Sequence, residues 1–225
     1  GRQAALTYGK RRANIIALGR SQSALETLDD DLVKYNCNVS LVPFNLMQFD
    51  LIKDMEQKLS ERIDHLDVLF LNAAAFGSLT PITHITEAEW NETFAVNLTS
   101  NVIFLKLFEP YLKKTNQSQV LISTTEIINQ KKPFWGLYSA SKAALEQIAY
   151  SYAEETQNTN IKVNLIDPGI VNTKLRLKAY PGEDKQKITQ PSDLSDFFED
   201  ILFNDKFANG ELIRYADWLE SSKRV

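Results

Sequence analysis

Tyr138 and Lys142 stand four residues apart in Tyr138-Ser139-Ala140-Ser141-Lys142, inside a stretch with helical patterning. Residues at i and i+4 share one face of an α-helix, so this spacing sets an ammonium beside a phenol. A neighbouring positive charge favours the phenolate and pulls the phenol pKa down from its usual value of about 10. A phenol tuned in this way can act as a general acid or base near neutral pH. Taken alone, the pair fits a solvated polar helix face better than an active site. What decides between the two is the set of elements that would position it.

Apolar periodicity predicts a helix over residues 2–10, a buried strand at 15–18 and a helix at about 21–35. A strand at 39–43 and an amphipathic helix over 51–62 follow. Residues 66–71 form a continuous apolar run of the kind found in parallel strands covered on both faces. A long helix near 87–113, a strand at 119–123, a helix over 138–156 and a strand at 161–166 complete the pattern, the last ending at Asp167-Pro168-Gly169. Strands alternating with helices predict an α/β fold: a Rossmann-like doubly wound parallel sheet in a single domain spanning 1–225.

Composition narrows the function classes. A chain of 225 residues with 44% hydrophobic and 24% charged residues has ordinary globular makeup. The net charge of −4 argues against a nucleic-acid partner, and Lys10-Arg11-Arg12 is only a local basic group. The single cysteine, Cys37, excludes an internal disulfide; with only His65 and His84 beside it, no thiolate or imidazole cluster for a metal is expected. The longest uncharged stretch, 68–82, is broken by Asn72, Gly77 and Pro81 and is too short to span a membrane. The expectation is a soluble, cytoplasmic protein without a membrane or metal partner.

The order of the motifs resembles the short-chain dehydrogenases/reductases from residue 1 to about 215. The matching pieces are Leu71-Asn72-Ala73-Ala74 after a strand, Val96-Asn97-Leu98 in a helix, and Ser123-Thr124-Thr125 closing another strand. Tyr138-x3-Lys142 and Val163-Asn164-x-Ile166-x-Pro168-Gly169-x-Val171-x-Thr173 complete the set. Each is short and common alone, but together, in this order and spacing, they are specific. The resemblance implies that Tyr138 is the proton donor to a carbonyl oxygen, and that Lys142 lowers its pKa and contacts the nicotinamide ribose. Thr125 takes the place of the serine that holds the substrate oxygen, ahead of Ser123 and Thr124 as stand-ins. Asn97 matches the helix asparagine whose backbone anchors a water leading to the lysine; read by itself, it fits a core asparagine with satisfied hydrogen bonds.

Cofactor residues follow from the same resemblance. Gly1 matches the last glycine of the family's T-G-x3-G-I-G turn, so the N-terminal strand and most of the glycine-rich loop are expected to be missing from the sequence as it stands. If the chain is complete, the expected consequences are a gap in the middle of the sheet, weak cofactor affinity and low stability. At the end of the second expected strand stand Gly19 and Arg20, where an acidic residue would bind the ribose of NAD. A guanidinium forks onto phosphate oxygens, so NADP is expected over NAD. Asn45, followed by Leu46, takes the place that faces adenine, and Asn72 and Ala73 are expected beside the cofactor. The family often has N-N-A-G where this chain has Leu71 to Ala74, and the methyl of Ala74 puts that fit in doubt. Pro168, Gly169, Val171 and Thr173 form the turn expected to receive the nicotinamide carboxamide.

Residues 174–192, with Tyr180-Pro181-Gly182 and mixed charges, suit a mobile substrate loop. Phe134, Trp135, Leu175 and Tyr180 suggest an apolar or aromatic substrate lining. The expected activity is NADPH-dependent, reversible reduction of a small-molecule ketone or aldehyde to an alcohol by a homodimer or homotetramer. The helices near 87–113 and 138–156 would form the seam between copies. Two other classes stay open at this point: a non-catalytic member of the fold that binds a nucleotide or a partner, and an inactive fragment.

Overall fold

The structure is a computed structural model that describes residues 1–204 and 206–223. The chain divides into two compact units, one of Gly1–Leu46 with Ile170–Lys206 and one of Met47–Gly169 with Phe207–Val225. Strands alternate with helices and every ladder is parallel, which is the α/β Rossmann-like arrangement the sequence predicts.

In the first unit, β1 (Ile15–Gly19) pairs with β2 (Val39–Pro43). Helices α1 (Arg2–Lys10) and α2 (Gln22–Val33) flank them. Ser21 starts α2 by accepting a hydrogen bond from the Ala24 amide at 3.3 Å, satisfying one of the donors that a helix start leaves orphaned. The core of this unit is Ile15, Ala17, Leu25, Leu28 and Leu32. Gly9 lets α1 approach it: a Cβ there would lie 2.4 Å from Leu32 Cδ2. Within the same unit, α7 (Lys174–Ala179) and α8 (Ser195–Phe203) follow a turn whose Val171 bridges to Thr189. Lys10 donates to Ser195 Oγ at 3.2 Å, and Arg11 pairs with Glu199, fastening α1 to α8.

The second unit holds a four-stranded sheet in the order β3 (Val68–Leu71), β4 (Ser118–Ser123), β5 (Ile161–Asp167), β6 (Leu212–Arg214). Val120, Leu121 and Ile122 of β4 and Val163, Leu165 and Ile166 of β5 are buried, as central strands covered on both faces require. Two longer helical stretches and α3 (Phe49–Ser60) join them. The first is interrupted where the sequence pattern predicts one helix: α4 (Glu87–Phe94) passes through a π-turn at Ala95–Thr99 into α5 (Ser100–Leu112). Thr86 and Glu89 form a capping box at the start of α4. The second, α6 (Gly136–Glu155), carries Tyr138 and Lys142; a last helix, α9 (Tyr215–Ser222), follows β6. Sequence reading did not assign α7, α8, β6 or α9; each is short, and isolated short elements carry little local signal.

Replacing Gly9 by Val forces two branches into the space held by Leu32, and overpacking of this kind costs roughly 1–3 kcal/mol. A fall in thermal midpoint, followed by circular dichroism, is the expected result. A variant that melts with the parent would show that α1 and α2 are not packed this closely.

Candidate active site

Tyr138 and Lys142 occupy successive turns of one face of α6, as their spacing predicts, and both are buried. Burying an ammonium is costly unless it is paired, and Lys142 Nζ donates to the carbonyl of Ser123, at the end of β4, at 2.8 Å. Burial holds the Lys142 ammonium down at about 8, against an ordinary value of 10.5. The phenol departs from expectation. Its pKa is not lowered by the lysine but pushed up to about 12, first by burial and then by the negative charge of Asp167. The burial is visible around the ring, which is enclosed by Phe76 and Trp135 at centroid distances of 5.5 and 6.2 Å, while the lysine reaches the Ser123 carbonyl.

Asn97 lies in the π-turn, fully buried. Its side-chain oxygen accepts from the Ala75 amide at 2.7 Å, and its Nδ2 donates to the Ala75 carbonyl at 2.9 Å and to Ser141 Oγ at 2.9 Å. Ser141 in turn donates to the Tyr138 carbonyl at 2.8 Å. This asparagine therefore pins the loop after β3 to the helix turn between the two candidate catalytic residues. Its backbone carbonyl accepts from Asn101 Nδ2 at 2.8 Å. The same loop needs Gly77, whose φ is +70° and whose missing Cβ would lie 3.0 Å from Leu137 and 3.2 Å from Thr93.

Thr125 follows β4, partly exposed, and caps a short turn at Glu126–Asn129 by accepting from the Ile127 amide at 3.4 Å. A hydroxyl that accepts there keeps its proton for another acceptor. Thr124 is turned inward, 6% exposed, with its hydroxyl lacking a partner, and Ser123 gives its carbonyl to Lys142. Ser123 and Thr125 are both partly exposed, and Thr124 is the buried one of the three.

The expected cofactor residues are divided between the units. Gly1, Arg20, Asn45, Leu46, Val171 and Thr173 belong to the first; Asn72, Ala73, Pro168 and Gly169 belong to the second with the catalytic candidates. Gly1 is the N-cap of α1, and Arg20 is exposed just past the carboxyl end of β1. Asn45 and Leu46 follow β2, and Asn72 and Ala73 are exposed just past β3. Carboxyl ends of parallel strands are where α/β folds bind ligands. Gly169 adopts φ +70° with open space where a Cβ would stand, so a ligand can approach its backbone. Val171 is buried; Thr173 caps α7 by accepting from the Arg176 amide at 3.1 Å.

Residues 174–192 contain α7 and their own cross-links. Arg176 forks onto both oxygens of Glu183 at 2.6 and 2.5 Å and lies 3.8 Å over the Tyr180 ring; Asn172 donates to Gln190 at 2.9 Å. Of the expected lining, Trp135 is buried against Phe76, whereas Phe134 is 54% exposed at φ +72°, an unusual backbone for an aromatic residue. Sequence reading missed the side-chain role of Asn97, the link through Ser141, and Asp167. Asp167 had a local signal, since Asp-Pro-Gly after a strand favours an Asx turn.

The family model for short chain dehydrogenases matches residues 1–184. The chain belongs to the short chain dehydrogenase family. It is 28% identical over 211 residues to the uncharacterised oxidoreductase YciK of Escherichia coli K12, covering 91% of this chain and 82% of that protein. It is 31% identical over 191 residues to dehydrogenase/reductase SDR family member 6 of Aquarana catesbeiana, covering 80% and 71% respectively. Among solved structures, a short chain dehydrogenase of Escherichia coli CFT073 complexed with NADPH superposes with a TM-score of 0.87 at 25% identity, covering 95% of this chain and 90% of that one. Among the described residues, no helix is long and apolar enough to cross a membrane, and no group of three or more His, Cys, Asp or Glu could hold a metal ion.

The depressed Lys142 value has a stability consequence. The folded state binds the lysine proton less tightly than the unfolded chain, so the buried charge costs stability below about pH 8; the cost fades as pH rises toward 10.5. The span corresponds to about 3 kcal/mol. The wild type is expected to gain thermal midpoint relative to Lys142→Met between pH 7 and pH 10. A difference between the two that stays flat across this range would refute the buried ammonium.

Proposed function

We propose that the protein catalyses reversible reduction of a ketone or aldehyde to an alcohol, with NADPH rather than NADH as the partner. The observation that carries this reading is the buried Tyr138 phenol on α6, one turn from a Lys142 ammonium pinned to the end of β4, with the hydroxyl of Thr125 two residues beyond the lysine's acceptor. The nicotinamide supplies a hydride to the carbonyl carbon when bound. Tyr138 gives its phenolic proton to the carbonyl oxygen, while Thr125 donates a hydrogen bond to that oxygen and orients it. A phenol held up at about 12 is fully protonated at neutral pH and so begins each reduction as the acid. Lys142, at about 8, exchanges protons with solvent in the working range and can restore the phenol. Asn97 acts through position, holding the loop after β3 against the turn of α6 that carries Tyr138.

Arg20, exposed past β1 where no acid stands, supports NADPH through its forked guanidinium. The bound NADPH of the Escherichia coli CFT073 structure agrees with this choice. The substrate is a small carbonyl compound, and the protein acts in the cytoplasm as a homo-oligomer.

Tyr138→Phe is expected to lower turnover of an aldehyde panel by roughly 10²- to 10⁴-fold, with NADPH affinity by fluorescence titration nearly unchanged. Near-normal turnover in that variant would sink the assignment. Arg20→Ala is expected to weaken NADPH on the order of tenfold and to leave NADH unaffected, since charge-assisted hydrogen bonds contribute about 1.5–3 kcal/mol. Equal loss for both dinucleotides would remove the case for NADPH.

A further inference from the structure

Asp167, the last residue of β5, is 5% exposed. Its Oδ1 accepts from the Gly169 amide at 2.9 Å, and the backbone amide of Glu126 also lies where it favours the charged carboxylate. These two amides belong to different functional segments. Gly169 is the open positive-φ turn after β5, and Glu126 opens the short turn whose N-cap is Thr125. Thr124 is joined to β5 as well, its amide donating to Ile166 at 2.8 Å.

We propose that Asp167 is a positioning residue for the carbonyl reaction, a single buried carboxylate that holds the turn carrying Thr125 and the turn at Gly169 in fixed register with Tyr138. The inference rests on the reading of Tyr138 as proton donor given above.

Its electrostatic surroundings give the carboxylate a second effect. Charged and titratable groups reach it from each packed element: Glu126 from the turn after β4, Tyr138 and Glu146 from α6, and Arg214, its register partner on β6. Burial disfavours the Asp167 charge, while the two amides and Arg214 sustain it. A charge held there repels a phenolate at Tyr138 and so keeps the phenol protonated, biasing the residue toward donating in the reductive direction. The strand-end acid thus fixes geometry through its hydrogen bonds and proton affinity through its charge.

Asp167→Asn keeps the shape and one acceptor oxygen but removes the charge; Asp167→Ala removes both. In protein labelled with ¹³Cζ-tyrosine, with the Tyr138 signal assigned from Tyr138→Phe, the Asp167→Asn variant is expected to ionise Tyr138 at lower pH than the wild type while circular dichroism stays native. In kinetics with NADPH and benzaldehyde as the probe, the alkaline limb of kcat should move to lower pH, with KM unchanged. Asp167→Ala should lose turnover on the order of tenfold or more through misplacement. It should also lose hydrogen-exchange protection at both the Gly169 and Glu126 amides.

An unmoved Tyr138 titration in Asp167→Asn, or intact protection of both amides in Asp167→Ala, would overturn the proposal. Neither readout needs turnover. Failure of the proposed function would appear separately, as an active Tyr138→Phe enzyme.

Discussion

A lysine ammonium that is 3% exposed and bound to a strand-end carbonyl at 2.8 Å constrains much of the catalytic unit. Such a charge must have its partner, because an unpaired one would be expelled or neutralised. Satisfying it fixes α6 in rotation about its axis and in height along β4. With that rotation set, Tyr138 is carried to a defined place one turn earlier, Leu145 and Ala149 enter the core, and α6 lies along β5. The depressed proton affinity of Lys142 is the cost of this arrangement.

A second layer of buried hydrogen bonds supports the first. A π-turn interrupts the helical run at Ala95–Thr99 and carries Asn97, whose side chain meets both the amide and the carbonyl of Ala75. Irregular backbone such as the loop after β3 can be buried only if its polar groups are answered, and here one side chain answers two of them. Ser141 passes the constraint to the backbone of Tyr138. Phe76, on the same loop, then closes over the phenol together with Trp135. The hydrophobic enclosure and the polar network are thus two faces of one loop.

The enclosure also explains why a rule about spacing places the two residues on one helix face but misses the proton affinity of the phenol. A tyrosine and a lysine at i and i+4 do share a helix face, and both are found there. The proton affinity of the phenol depends on how deeply the fold buries it and on the charge of Asp167, and the lysine's own partner is Ser123. Neither lies near the pair in sequence. The role of Asn97 was half visible for the same reason: its type and place marked it, but the segment it binds is Ala75, on another element.

Local pattern determined the alternation of strands and helices, the helix that bears Tyr138 and Lys142, and the Pro168-Gly169 turn, because each depends on periodicity or on the backbone limits of neighbouring residues. The apolar run read as a strand covered on both faces is β3, which is mostly half-buried, whereas the most buried strands are β4 and β5. The family followed from the order of those short motifs. Tertiary structure alone decided the break between α4 and α5, the inward turn of Thr124 against the partly exposed Thr125, the internal ties of residues 174–192, and the joining of two turns by Asp167. These are pairings between groups distant in the chain. Their energies depend on burial and on which polar partner lies within reach, and only packing fixes either.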